Sequence, residues 1–146
     1  MTRHDIARSI RPWTIERFRA FWAKPHIAMV PAIRSTITSD IVGHWPRPIG
    51  DISDPDLYLG VIADILTLCP DWSLSVPEFV ESDDLHFIRW VATGTGPDGR
   101  LEFNGCDRVK TTASGQVCEN YIFCDHPFFQ HVSAFRGVDR LRELTA

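Results

Sequence analysis

LHFIRWVATGTGPDGRLEFNGCDRVKTTASGQVCENYIFCD, residues 85–125, is the stretch whose reading decides the fold. It divides into strands over 85–95, 100–112 and 116–125, joined by two loops that each end in glycine. Pro97-Asp98-Gly99 offers Pro at the first central position of a type I turn and Gly where a positive φ is needed, which predicts a three-residue hairpin with a bulge. Gly96 then opposes Arg100, and the register carries Arg89 to Asp107, Phe87 to Val109, Val91 to Gly105 and Thr93 to Phe103. Reading Ala113-Ser114-Gly115 the same way sets Thr112 against Gln116, Tyr121 beside Asp107 and Asp125 beside Phe103.

Successive strand side chains point to opposite sides, so alternation sorts the faces. On the central strand Leu101, Phe103, Gly105, Asp107 and Val109 form the buried face, and the other side is polar. One carboxylate, Asp107, therefore stands among apolar neighbours, with Arg89 facing it and Tyr121 alongside. This cluster suits acid/base chemistry, and it equally suits a satisfied ion pair at the rim of a sheet.

The chain's 146 residues suit a single domain, 1–146, with its core at about 12–127 and a C-terminal extension over 128–146. A net charge of −4 with scattered Lys and Arg leaves no basic footprint for nucleic acid or an anionic membrane. The first residues lack the apolar run of a signal peptide and no stretch has the length of a membrane span, so a cytoplasmic protein is expected. Cys69, Cys106, Cys118 and Cys124 have no C-x-x-C spacing and read as free thiols, with no zinc site. His126 and His131 are five apart, a poor metal spacing on a helix. The glycines of GTGPDG sit in a hairpin, outside the strand-to-helix context of a phosphate loop.

Elsewhere, Pro12 to Ala23 reads as a helix with Ile15, Phe18, Phe21 and Trp22 in one stripe, ended by Lys24-Pro25. A short helix is expected between His26 and Thr36, with Pro31 starting a turn, and a first strand over Ile41–Trp45. The run PRPIGDIS reads as a flexible lip. Asp54-Pro55 caps a helix whose apolar residues Leu57, Leu59, Ile62, Ile65 and Leu66 continue to Cys69. Trp72, Leu74 and Val76 alternate as a further strand, which Pro77 bends or confines to an edge before Phe79-Val80 resume it. After Asp125 come a one-turn helix or loop, a break at Gly137 and a short polar helix.

The stretches TSDIVGHWP, LHFIRWVATGTGPDG, FNGCDRV and SGQVCENYIFCD resemble the SnoaL-like branch of the nuclear transport factor 2-like superfamily, which includes polyketide cyclases, ketosteroid isomerase, limonene epoxide hydrolase and scytalone dehydratase. The likeness spans most of residues 12–127. It implies an α+β, cystatin-like cone: a curved antiparallel sheet and about three helices enclosing an apolar cavity. The expected pocket lining is Phe18, Trp22, His44, Trp45, Phe87, Phe103 and Phe123. The convex sheet face, with Ile88 and Trp90 on it, would make a homodimer.

In ketosteroid isomerases an acid on the penultimate strand donates to the oxyanion, and Asp107 stands at that place. Their general base, in an Asp-Pro pair after the first strand, is replaced here by Trp45-Pro46. The Asp, Arg, Asp set of the epoxide hydrolases is matched by Arg89 and Asp125, with Val91 where the remaining acid belongs. The cyclases' acid/base would be Asp107 or Asp125. The resemblance thus implies proton transfer on an apolar polyketide-, steroid- or terpene-like molecule, as an isomerase, cyclase, or hydratase or hydrolase, without cofactor. Its candidate catalytic residues are Asp107, Asp125, Arg89 and Tyr121. A non-catalytic ligand-binding or protein-interaction module of the same fold is the alternative.

Overall fold

The computed structural model describes residues 12–135, and its strands form one curved six-stranded sheet. In chain order the elements are α1 (Ile15–Ala23), α2 (Val30–Ile33, between 3-10 turns at Ile27–Met29 and Arg34–Thr36), β1 (Ile37–Trp45), β2 (Gly50–Ile52), α3 (Pro55–Leu68), β3 (Ser73–Ser82), β4 (Leu85–Gly96), β5 (Gly99–Thr111) and β6 (Val117–Phe123). A further helix, α4, covers 128–135. The expected Gly137 break and polar helix lie outside the described residues.

Local chemistry sets the helix starts. Thr14 caps α1 by accepting the Arg17 amide at 3.2 Å, so the helix begins at Ile15 and not at Pro12. Asp54 accepts the Asp56 and Leu57 amides at 2.8 and 3.1 Å, with Pro55 in the first helical position of α3. The inner stripe of α1 (Ile15, Phe18, Phe21) and most of α3 pack into one apolar core with the inward face of the sheet.

The strand order is β2-β1-β6-β5-β4-β3. The expected curved antiparallel sheet is present, with one parallel pairing in it, between β1 and β6. In PRPIGDIS, expected as a flexible lip, residues 46–49 form a turn and Gly50–Ile52 form β2, which pairs with β1 from Gly43–Ile52 to Trp45–Gly50. Pro77 lies where the β3–β4 register shifts, and pairing resumes at Glu78 on this edge strand.

The central register differs from the sequence reading by one residue, and that difference decides the site. Gly96 pairs with Gly99, so the first hairpin turns on the two residues Pro97-Asp98, and Ile88 rather than Arg89 opposes Asp107. A one-residue slip moves every side chain of a strand to the other face. His86, Ile88, Trp90 and Ala92 consequently point inward, while Phe87 is 43% exposed. Ile88 and Trp90, expected on the convex face, are 0% and 2% exposed in the core. This register buries an indole and an isoleucine and leaves Arg89 outside, bonded to Glu78 at 2.7 Å and Asn104 at 3.0 Å. The alternative takes a guanidinium and a carboxylate out of water together, and their desolvation can exceed their attraction.

At the second hairpin Thr112 does face Gln116, with the Thr112 amide donating to the Gln116 carbonyl at 2.8 Å. A bulge between the pairs Thr111–Val117 and Lys110–Glu119 then advances β6 by one residue. Tyr121 therefore opposes Arg108 on the outer face, and Asn120 and Ile122 face inward beside Val109 and Asp107.

Candidate functional site

Between α1, α3 and the inward face of the sheet lies a cavity of about 100 Å³. Its walls are apolar and aromatic, and all five tryptophans of the chain, Trp13, Trp22, Trp45, Trp72 and Trp90, line it. Asp107 and Arg17 are the charged residues of the lining.

Asp107 is 7% exposed and makes no ion pair among the described residues. Its carboxyl group is held by neutral donors: the Trp90 indole N–H gives a bond of 2.9 Å to Oδ1, and the Asn120 amide one of 3.3 Å to Oδ2. Burial pushes its pKa up to about 6, and the two hydrogen bonds oppose that rise. The second hydrogen of Asn120 Nδ2 goes to the Tyr58 hydroxyl oxygen at 3.1 Å. Since this oxygen accepts, Tyr58 keeps its own proton to donate, and no acceptor for it occurs among the described residues. Burial raises the Tyr58 pKa, the bond from Asn120 opposes the rise and the Asp107 charge adds to it, so the phenol stays neutral.

Two glycines make room for this array. Trp90 pairs across the ladder with Gly105, and a Cβ on Gly105 would collide with the indole ring. The bare backbone lets the indole lie over β5 and reach Asp107. On β1, a Cβ on Gly43 would stand 2.6 Å from the Tyr58 ring and 2.9 Å from Trp45 Nε1. Tyr58 and Trp45 thus close over Gly43, their rings 5.3 Å apart.

The residues expected at the site are brought together only in part. Phe18, Trp22, Trp45 and Asp107 line the cavity. Arg89 and Tyr121 lie on the outer face through the slip and the bulge, and Asp125 follows the end of β6, exposed. His44 is also outward, bonded to Asp51 at 2.8 Å and Glu119 at 3.2 Å and stacked on Tyr121. Phe87 and Phe123 are exposed at 43% and 48%, on the outer side of β4 and β6. Phe103 faces inward but is spent in the core against His126, Trp72 and Phe128. His126 accepts the Phe128 amide and His131 pairs with Asp98 at 2.6 Å, so the two histidines serve separate local contacts.

Sequence reasoning did not single out Tyr58 or Asn120, and it placed Trp90 on the convex face instead of in the cavity. Tyr58 was legible as the head of the stripe Tyr58, Ile62, Ile65 at helical spacing. Asn120 and Trp90 needed the register. Among the described residues no three of His, Cys, Asp and Glu gather as metal ligands, all four cysteines are free, and no helix is long and apolar enough to cross a membrane.

The architecture has solved counterparts. A candidate SnoaL-like polyketide cyclase from Jannaschia sp. CCS1 superposes with a TM-score of 0.66 at 14% identity, covering 90% of this chain and 91% of that one. IdmH, a candidate polyketide cyclase from Streptomyces antibioticus, gives 0.61 at 21% identity over 92% of this chain and 99% of that one. A steroid delta-isomerase from Pseudomonas aeruginosa gives 0.62 at 12% identity over 97% and 96%. At these identities the likeness shows the fold. Among curated proteins no match is found. The SnoaL-like domain profile matches residues 15–120, from the start of α1 into β6, and the chain belongs to the SnoaL-like domain family.

Proposed function

We propose that the chain is a cofactor-independent acid/base enzyme acting on an apolar small molecule bound in the cavity, with Asp107 as the proton-transfer group. The observation that carries this reading is a carboxyl group enclosed by apolar walls, tied to neutral donors alone and with its pKa near 6. Such a group is mostly ionised at pH 7 yet basic enough to take a proton, the balance that general-base catalysis favours. A carboxylate closed in an ion pair would favour a passive binding role instead, and Asp107 has no such partner among the described residues.

In the proposed step Asp107 removes a proton from a carbon next to a carbonyl, while the Tyr58 O–H donates a hydrogen bond to the carbonyl oxygen as it gains charge. The protonated Asp107 then returns the proton at another carbon, giving an isomer, or the carbanion adds to a second carbonyl carbon of the same molecule and the Asp107 proton passes to the resulting alkoxide, closing a ring. The steroid isomerase and cyclase relatives support this class of substrate.

Isomerisation of unsaturated aromatic and alicyclic ketones is the test. Asp107→Asn is expected to cost at least about 100-fold in kcat/KM. In the wild type kcat/KM should rise with pH through about 6, as Asp107 ionises. A folding control separates a structural role. Because the folded pKa of Asp107 lies above its unfolded value, ionising it costs stability as pH rises from about 4 to 6. Asp107→Asn should therefore match the wild type in urea at pH 4 and exceed it at pH 8. A variant that is folded and fully active would end the proposal.

A further inference from the structure

We infer that the ligand carries a carboxylate, held at the solvent end of the cavity by Arg17. This inference rests on the cavity being the ligand site, and it adds the chemistry of the ligand's other end.

Arg17 lines the cavity from the first turn of α1, yet no carboxylate pairs with it among the described residues. Its guanidinium is steadied by one bond, Nη1 to the Pro12 carbonyl at 2.9 Å, in an exposed position. The remaining N–H groups of the planar fork have no partner among the described residues, and a carboxylate matches their geometry. Pro12 packs against Gly115, and the neighbouring Trp13 amide donates to the Gly115 carbonyl at 2.7 Å. Arg17 is thereby fixed near the β5–β6 turn.

Asp107 lies four residues of β5 before Thr111, the last residue of that strand, a separation of about 13 Å along extended chain. Val109 stands between Asp107 and Thr111 on β5, Val117 pairs with Thr111 and Ile37 with Val117, and these three line the cavity with Phe18 of α1. The lining therefore has a cation at one end, an oily span of roughly two fused rings, and the Asp107–Asn120–Tyr58 array beyond. An elongated aromatic or alicyclic acid, oxygenated at the end remote from its carboxylate, fits this order.

Titration calorimetry with 6-hydroxy-2-naphthoate and its methyl ester tests the assignment. The wild type should bind the acid about tenfold more tightly than the ester. Arg17→Gln should abolish that preference by weakening the acid alone, and Arg17→Lys, which keeps the charge, should retain part of it. Asp107→Asn, which removes a like charge from the same cavity, should keep the acid preferred over the ester. Equal affinities in the wild type, a ratio that survives Arg17→Gln, or no binding of either probe would overturn the inference. Loss of the ratio in Arg17→Gln together with full turnover by Asp107→Asn would instead remove the proton-transfer reading and leave Arg17 as the carboxylate site.

Discussion

At the scale of single residues, the absence of a side chain at Gly105 matters as much as the carboxyl group at Asp107. The indole of Trp90 occupies the space a Cβ would take, and its N–H favours the ionised form of the acid. Gly105→Ala should push the indole aside, cost about 1–3 kcal/mol through overpacking, and raise the Asp107 pKa further above about 6. Trp90→Phe removes the same donor without the clash and should raise the pKa with a smaller stability loss. Carboxyl 13C titration and urea midpoints measure the two effects separately. An Asp107 pKa unmoved in both variants would mean that the indole does not tune the acid.

At the scale of elements, what could be read in advance was whatever rests on local chemistry. The cap at Asp54, the break at Lys24-Pro25, the alternation of β5 and the edge position of Pro77 all depend on a few adjacent residues. Asp107 was found this way, from the pattern of its own strand. Its neighbours were not, because they depend on how two hairpins close. Pro97-Asp98-Gly99 is compatible with a turn of two residues or three, and nothing local announces the bulge in β6. Each accident is one residue in size, yet together they exchange Arg89 and Tyr121 for Trp90 and Asn120.

The outer face carries its own consequence of that exchange. Asp51 of β2, His44 of β1, Glu119 of β6 and Arg108 of β5 form a chain of contacts across four strands. Burial pulls the His44 pKa down, but its bonds to the two carboxylates outweigh this and raise it. A raised histidine contributes stability fully below its ordinary value near 6.5 and loses it as pH climbs through the folded value. Amide exchange at Gly50–Ile52 should therefore accelerate between pH 6 and pH 9 by more than the intrinsic chemical rate. His44→Phe should remove the excess; exchange that follows the intrinsic rate alone in the wild type would show that this contact does not hold β2.

At the scale of the molecule, the corrected faces alter what a homodimer could use. Ile88 and Trp90 are inside, and the outer face offers Phe87, Tyr121 and Phe123, with Tyr121 and Phe123 stacked at 4.4 Å. Its ion pairs, Arg89 with Glu78 and Arg108 with Glu119, close within the chain. If a second copy packs here, Phe123→Glu should convert a dimer to a monomer in sedimentation velocity, whereas an unchanged sedimentation coefficient would mean that no copy rests on that surface.

The gathering of every tryptophan around one hollow has an optical consequence. The chain's ultraviolet emission arises almost entirely from that lining, so a guest absorbing in the near ultraviolet would darken the whole signal by energy transfer. The protein thus needs no attached dye, and a library of unlabelled compounds can be read by the colour and brightness of its own light.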